Sequence, residues 1–356
     1  MRAARAALLA AAFGLAAGPA PAAARAGASP RAACAPVALR PAGSIAPRPA
    51  GVRGPLLVLA GSGLSSLGDS VLAWMRAHVR GAPGVRAGNV LILKASSAER
   101  DYSDGFYARA RFASVQEIFI PPCAPRRAVD AVAPAVGRAD VVLFAGGDQA
   151  HYAAWKGSAL IAAVRRAYAR GAIVGGGSAG LAIQGAVVYD SVAADRLLPP
   201  DEDLGTARAV RDPLTPAISF TRGLFAWPPL RGTITDTHFV RRDRFGRLVA
   251  FLARIVRARP GAAPLGLGID EGSVVLVEPD GTATLRRGRG RGAYLVRLRG
   301  AAPLARGEPL RARVEVAHVA RDGARFDLAH RRPGVPWRLV GVDGARTPYA
   351  IPDPYR

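Results

Sequence analysis

Ser178 lies in the run Gly175-Gly176-Gly177-Ser178-Ala179-Gly180, and Gly176-x-Ser178-x-Gly180 within it has the spacing of a nucleophile elbow. The physical requirement is a sharp turn from strand to helix. Backbone angles there are strained and neighbours close, which glycine tolerates. Such a turn exposes the hydroxyl and aims the first helical amides at a developing oxyanion. The context fits, since Ala172-Ile173-Val174 reads as a strand and Leu181-Ala182-Ile183 as a helix start. A glycine turn holding an incidental serine is the competing reading.

A nucleophilic serine needs a base, and the chain has five histidines: His78, His151, His238, His318 and His330. His78 falls in an early helical pattern, and His318 and His330 in a late β-rich region. Structural or surface roles fit those three. His151 follows Gly146-Gly147-Asp148-Gln149 and could line a site. His238 follows a short strand in Asp236-Thr237-His238-Phe239, where period-two geometry would put it on the face of Asp236. A satisfied structural histidine is the alternative. An orienting acid is the third requirement. Asp270 and Glu271 end the apolar stretch Leu265-Gly266-Leu267-Gly268-Ile269, with a hairpin or surface ion pair as the alternative.

The elements that must position these groups alternate. Leu56–Leu59, Val90–Leu93, Val115–Ile120, Val141–Phe144 and Ala172–Val174 are short apolar runs. Helical patterns run from Leu72 to Val79, Arg127 to Val136 and His151 to Ala169, with another from Arg247 to Val256. Continuous apolar strands between helices indicate a parallel sheet covered on both faces. Functional loops then lie at the carboxyl ends of the strands. Ser273–Glu278, Pro279-Asp280-Gly281-Thr282 and Ala283–Arg286 read as a β-hairpin. Residues from about 288 onward read as a small β-rich extension.

In order, Phe144-Ala145-Gly146-Gly147-Asp148-Gln149, the serine turn, Asp236-Thr237-His238-Phe239, Arg244-Phe245-Gly246-Arg247-Leu248 and Gly268-Ile269-Asp270-Glu271 resemble the cyanophycinase group of serine peptidases, which includes aspartyl dipeptidases. The resemblance runs from about residue 56 to about 285. It implies a three-layer α/β/α sandwich with a mostly parallel sheet, like class I glutamine amidotransferase domains. It implies a triad of Ser178, His238 and Glu271, with an oxyanion hole from the amides of Ala179 and Gly147. It further implies substrate contacts from Gln149, Asp236, Arg242, Arg244 and Arg247, no metal and no cofactor. The expected substrate is cyanophycin or a related β-aspartyl peptide. An aspartyl or isoaspartyl dipeptidase of the same group is one alternative, and a non-catalytic polymer-binding protein on the same fold another. Gly177 and Leu181 depart from the usual Thr and Ala beside the serine, and Thr237 from a Gln usual before the histidine. These departures touch the pocket more than the nucleophile.

Composition narrows the partners. The 356 residues are half apolar and carry a formal charge of +23, nearly all of it from arginine, with lysine only at 94 and 156. The arginines are scattered and aromatics make up 6% of the chain, so a solvated basic surface fits better than a nucleic-acid stripe. Arg2 and Arg5, the apolar run Ala6–Ala17 and small residues near 22–26 have the layout of a secretory signal peptide. That run is too short to remain as a membrane span. The expected organisation is a leader at 1–26, an extended Pro/Ala-rich arm at 27–54, a catalytic domain at 55–287 and the extension at 288–356. The mature protein is expected to be secreted or periplasmic, and a homodimer is left open. Cys34 and Cys123 could pair there, although the sequence does not establish that they meet.

Overall fold

The computed structural model describes residues 33–82, 84–98, 102–199 and 202–356. The expected leader at 1–26 lies outside them. Cys34–Arg356 makes one compact unit.

The chain builds a mixed α/β fold around a mostly parallel central sheet. Five parallel strands lie in the order Ser114–Phe119, Asn89–Lys94, Val141–Phe144, Ile173–Gly177 and Leu56–Ala60. Alternation along Leu56–Ala60 shows why these strands are apolar throughout. Leu56, Val58 and Ala60 pack with Val71, Leu72 and Met75 of the helix Asp69–His78. Leu57 and Leu59 face the other way, in a cluster with Leu160 and Val164 of the helix Ala159–Ala169. Both faces are covered, so no polar face is needed.

Two helical readings are corrected. The pattern from His151 to Ala169 is two helices, Gln149–Ala153 and Ala159–Ala169. Gly157 turns at φ +80° and the Ser158 hydroxyl caps the second helix, accepting from the Ile161 amide at 3.1 Å. A glycine followed by a good N-cap outweighs the apolar period. Likewise Arg126–Asp130 and Ala133–Gly137 are separate, because Pro134 begins a helix more readily than it continues one.

The hairpin forms as read: Ser273–Val277 pairs antiparallel with Thr282–Arg287 and with Leu56–Ala60. The expected β-rich C-terminal region is present, and its strands join the two sheets. A second sheet runs Ala350–Ile351, Arg338–Asp343, Arg311–Val319, Ala293–Leu298, Leu265–Ile269, Thr233–Asp236, Val187–Tyr189 and Phe220–Arg222. Its tail strand Ala293–Leu298 pairs directly with Leu265–Ile269, while Arg325–Asp327 joins the first sheet beside Thr282–Arg287. Tail strands thus continue both sheets, capping edges that would otherwise present open backbone. The helix Phe245–Ala258 covers the second sheet, packing Leu248, Val249 and Phe251 with Val296 and Val314.

The arm is tied down from residue 34. Cys34 and Cys123 form a disulfide, and Val37–Ala38 pairs antiparallel with Ser114–Phe119. The Asp140 carboxylate accepts from the Ala50, Gly51 and Asn89 amides at 3.1, 2.7 and 2.8 Å.

Candidate active site

The serine turn is built by close approach. A Cβ at Gly175 would lie 1.9 Å from the Val58 carbonyl oxygen, and one at Gly180 would lie 2.1 Å from that of Phe144. Only glycine lets the neighbouring backbones come so near. Ser178 itself has φ 53° and ψ −121°, an unusual conformation for a residue with a side chain. Its amide donates to the Ala60 carbonyl at 3.2 Å, and its carbonyl accepts from Leu181 and Ala182. The short helix Ala179–Ala182 follows directly.

Ser178 Oγ lies 2.8 Å from His238 Nε2, and His238 Nδ1 lies 2.6 Å from Glu271 Oε1. The three groups come from both sheets. Ser178 ends Ile173–Gly177 of the first, and His238 follows Thr233–Asp236 of the second. Glu271 lies in the short link from Leu265–Ile269 of the second sheet to Ser273–Val277 of the first. Local hydrogen bonds hold the turns in register. The His238 amide donates to the Gly61 carbonyl at 2.9 Å, and Asp270 Oδ1 accepts from the Val240 and Arg241 amides. Asp270 and Glu271 therefore divide the work, one fixing the loop and the other meeting the imidazole. The strand stops at Asp236 and His238 has φ 48°, so a turn sets the direction of the imidazole and strand alternation does not.

Burial holds the His238 pKa below its ordinary value; Glu271 opposes that shift, and the charges of Arg242 and Arg244 reinforce it. A neutral imidazole donating from Nδ1 to Glu271 presents its Nε2 lone pair to the serine hydroxyl. The other histidines have different partners. His78 Nδ1 meets the Trp74 carbonyl, His318 Nε2 the Arg291 carbonyl, and His330 Nδ1 Asp327. His151 lies 3.9 Å from Asp148 and does not line the cleft.

A cleft of about 490 Å³ opens over the serine, bordered by Gly147, Gln149, Ala179, Thr237, Arg242 and Arg244. Asp148, Asp195, Glu202 and Asp203 also line it. A larger depression of about 570 Å³ elsewhere, among Arg299, Arg311 and Arg313, is lined by no serine or histidine. The cleft presents both signs of charge. Arg244 donates from Nη1 to Thr237 Oγ1 at 2.8 Å and from Nη2 to Asp203. Its Nε is buried with no hydrogen-bond partner among the described residues. Burial, then the charge of Arg247, pulls the Arg244 pKa down to about 10, against Asp236 and Asp203. Burial would raise Asp203, but Arg247 and Arg244 outweigh it and hold the carboxyl below its usual range. Burial, then a hydrogen bond that protonated Asp195 donates to Asp148, pushes Asp195 up to about 6.

The expected substrate contacts divide. Gln149, Arg242 and Arg244 border the cleft, as do the expected oxyanion residues Ala179 and Gly147. Asp236 and Arg247, also expected to contact substrate, are not among the residues lining the cleft. Arg247 is 2% exposed. It donates from Nε to Asp236 Oδ2 at 2.9 Å and from Nη2 to Oδ1 at 2.6 Å, and its Nη1 meets Asp203 Oδ1 and the Leu204 carbonyl, each at 3.0 Å. Each of its three nitrogens meets a protein acceptor, so the pair braces the wall behind the cleft. Asp203 was missed in the sequence reading. Its one local signal is an acidic run, Asp201-Glu202-Asp203, which spacing alone does not connect to arginines some forty residues later.

No family model matches the chain, and no curated protein does. Among solved structures, the chain is similar to a peptidase from an acI-B1 Actinobacterium, with a TM-score of 0.41 and 14% identity over 82% of this chain and 95% of that one. It is also similar to a candidate Peptidase E protein from Listeria monocytogenes EGD-e, with a TM-score of 0.38 and 13% identity over 65% of this chain and 98% of that one.

Proposed function

We propose that this chain is a serine-type hydrolase of peptide or peptide-like amides, belonging to the cyanophycinase-like group that its motifs resemble. The observation that carries the reading is the unbroken relay, 2.8 Å from Ser178 Oγ to His238 Nε2 and 2.6 Å from Nδ1 to Glu271. In the proposed reaction His238 takes the hydroxyl proton as Oγ adds to the amide carbon. The carbonyl becomes an oxyanion held by the Ala179 and Gly147 amides. His238⁺, stabilised by Glu271, then protonates the leaving nitrogen, the C–N bond breaks and an acyl-serine remains. Water, deprotonated by the same imidazole, adds to the acyl carbon and releases the acid.

A substrate carrying both charges suits the cleft. The half-exposed Arg242 offers donors for a carboxylate, while Asp195 and Glu202 offer acceptors for a cationic group. β-Aspartyl peptides, including cyanophycin, carry both. We further propose export, a reading the disulfide supports because such bonds persist in oxidising compartments.

The test is a fluorophosphonate probe with the wild type and Ser178→Ala. The probe should label wild type at Ser178 and leave the variant unlabelled while its thermal melt is retained. Mass analysis of products from insoluble cyanophycin and from aspartyl and isoaspartyl dipeptides then separates a polymer-degrading enzyme from a dipeptidase. Wild type that is never labelled and cleaves none of these would refute the proposal.

A further inference from the structure

The loop from His238 to Arg244 carries the base and two cleft arginines, yet its own geometry is unfavourable. His238 and Asp243, near its two ends, have φ values of 48° and 44°. Non-glycine residues in this region are strained and persist where surroundings over-determine them. Gly61 and Asp270 hold the His238 end of this loop, and Tyr349 and Tyr355 hold the Asp243 end. The Tyr355 hydroxyl donates to Asp243 Oδ1 at 2.8 Å, accepts from the Phe245 amide at 2.9 Å and lies 3.4 Å from the Phe239 carbonyl. The Tyr349 hydroxyl donates to the same Asp243 oxygen at 2.8 Å.

Packing adds to these bonds. The Tyr355 ring meets the Phe239 and Phe245 rings edge-on, at centroid distances of 5.9 and 6.1 Å. Phe239, next to the base, lies over Gly268 of the strand leading to Glu271, where a Cβ would come within 2.4 Å of its ring. The tail is itself anchored. Arg338 donates to the Asp353 and Pro354 carbonyls at 2.8 and 3.1 Å, and the Tyr294 hydroxyl donates to the Tyr355 carbonyl at 3.3 Å. Burial raises the Tyr355 pKa, so its hydroxyl keeps the proton it donates.

We propose that Tyr355 is a positioning residue for the reaction: through Asp243, Phe239 and Phe245 it clamps the base-bearing loop so that His238 meets both Ser178 and Glu271. The C-terminal tail is thereby part of the catalytic apparatus. This inference rests on the assignment of Ser178 and His238 above.

The experiment measures fluorophosphonate labelling of Ser178 as a function of probe concentration, separating the limiting rate from the half-saturating concentration. Tyr355→Phe keeps the ring and removes the hydroxyl. Its limiting rate should fall about tenfold with half-saturation unchanged, since the probe's entry is untouched and only base alignment is lost. Should Tyr355→Phe fail to fold, Tyr349→Phe takes its place, with a smaller fall in the same parameter. A folded variant with the wild-type limiting rate overturns the clamp while leaving the serine assignment intact. Absence of labelling in wild type overturns both.

Discussion

At the scale of single residues, the site depends on protonation and on paired charges. In the proposed reaction His238 must be neutral to accept the serine proton. Because burial, with Arg242 and Arg244, holds its pKa below the ordinary value near 6.5, neutrality survives into mildly acidic solution. Labelling of Ser178 should therefore stay level from pH 8 downward and fall only through a midpoint below about 6.5. Below that midpoint the rate should drop about tenfold per pH unit. A midpoint above 7 in a stopped-time labelling series would contradict a buried, arginine-flanked imidazole. The Asp236–Arg247 pair poses a different question, since both side chains are almost fully buried. Asp236→Ala would leave a buried guanidinium short of its main counter-ion, and should cost about 3–5 kcal/mol by denaturant titration. A loss below about 1 kcal/mol would mean that the pair is not bracing the fold.

At the scale of elements, the serine turn and the base loop use opposite strategies. The turn is made of residues that lack side chains, so backbones meet. The base loop is made of residues with strained angles that other side chains hold. Gly180→Ala would drive a Cβ to 2.1 Å from the Phe144 carbonyl oxygen and 2.9 Å from its Cβ, with no flexible group to yield. Overpacking against backbone should destabilise by about 3 kcal/mol or more, seen as a lowered melting temperature or loss of soluble protein. A variant melting within a degree or two of wild type would show that the turn has slack. The elbow was legible in advance because its constraint is local: six consecutive residues state it. The break at Gly157–Ser158 was also written locally, but the apolar period across it masked the cap.

At the scale of the whole molecule, the site exists because two sheets are joined. The link Asp270–Gly272 passes from one to the other, and Glu271 lies in that passage. The arm contributes from the far edge, where the Cys34–Cys123 bond spans 89 residues of sequence. Cys34→Ser should lower stability by about 2–5 kcal/mol with labelling at Ser178 preserved at 25 °C, because the bond lies outside the cleft. Equal unfolding midpoints for wild type and variant under non-reducing conditions would count against that role.

What the amino-acid order determined alone was everything governed by near neighbours. That includes the buried parallel strands, the glycine turn around Ser178, and a short set of candidate bases and acids that contained His238 and Glu271. Tertiary structure alone decided which charges remain for a substrate and which are spent internally. Arg242 and Arg247 are five residues apart and look alike in sequence, yet Arg247 is buried on Asp236 and Asp203 while Arg242 is half-exposed at the cleft. Tyr355 reaches the Phe245 amide across 110 residues. Periodicity and steric patterns record contacts within a few positions, whereas the partner of a long polar side chain is set by competition among groups that meet only once the chain is folded.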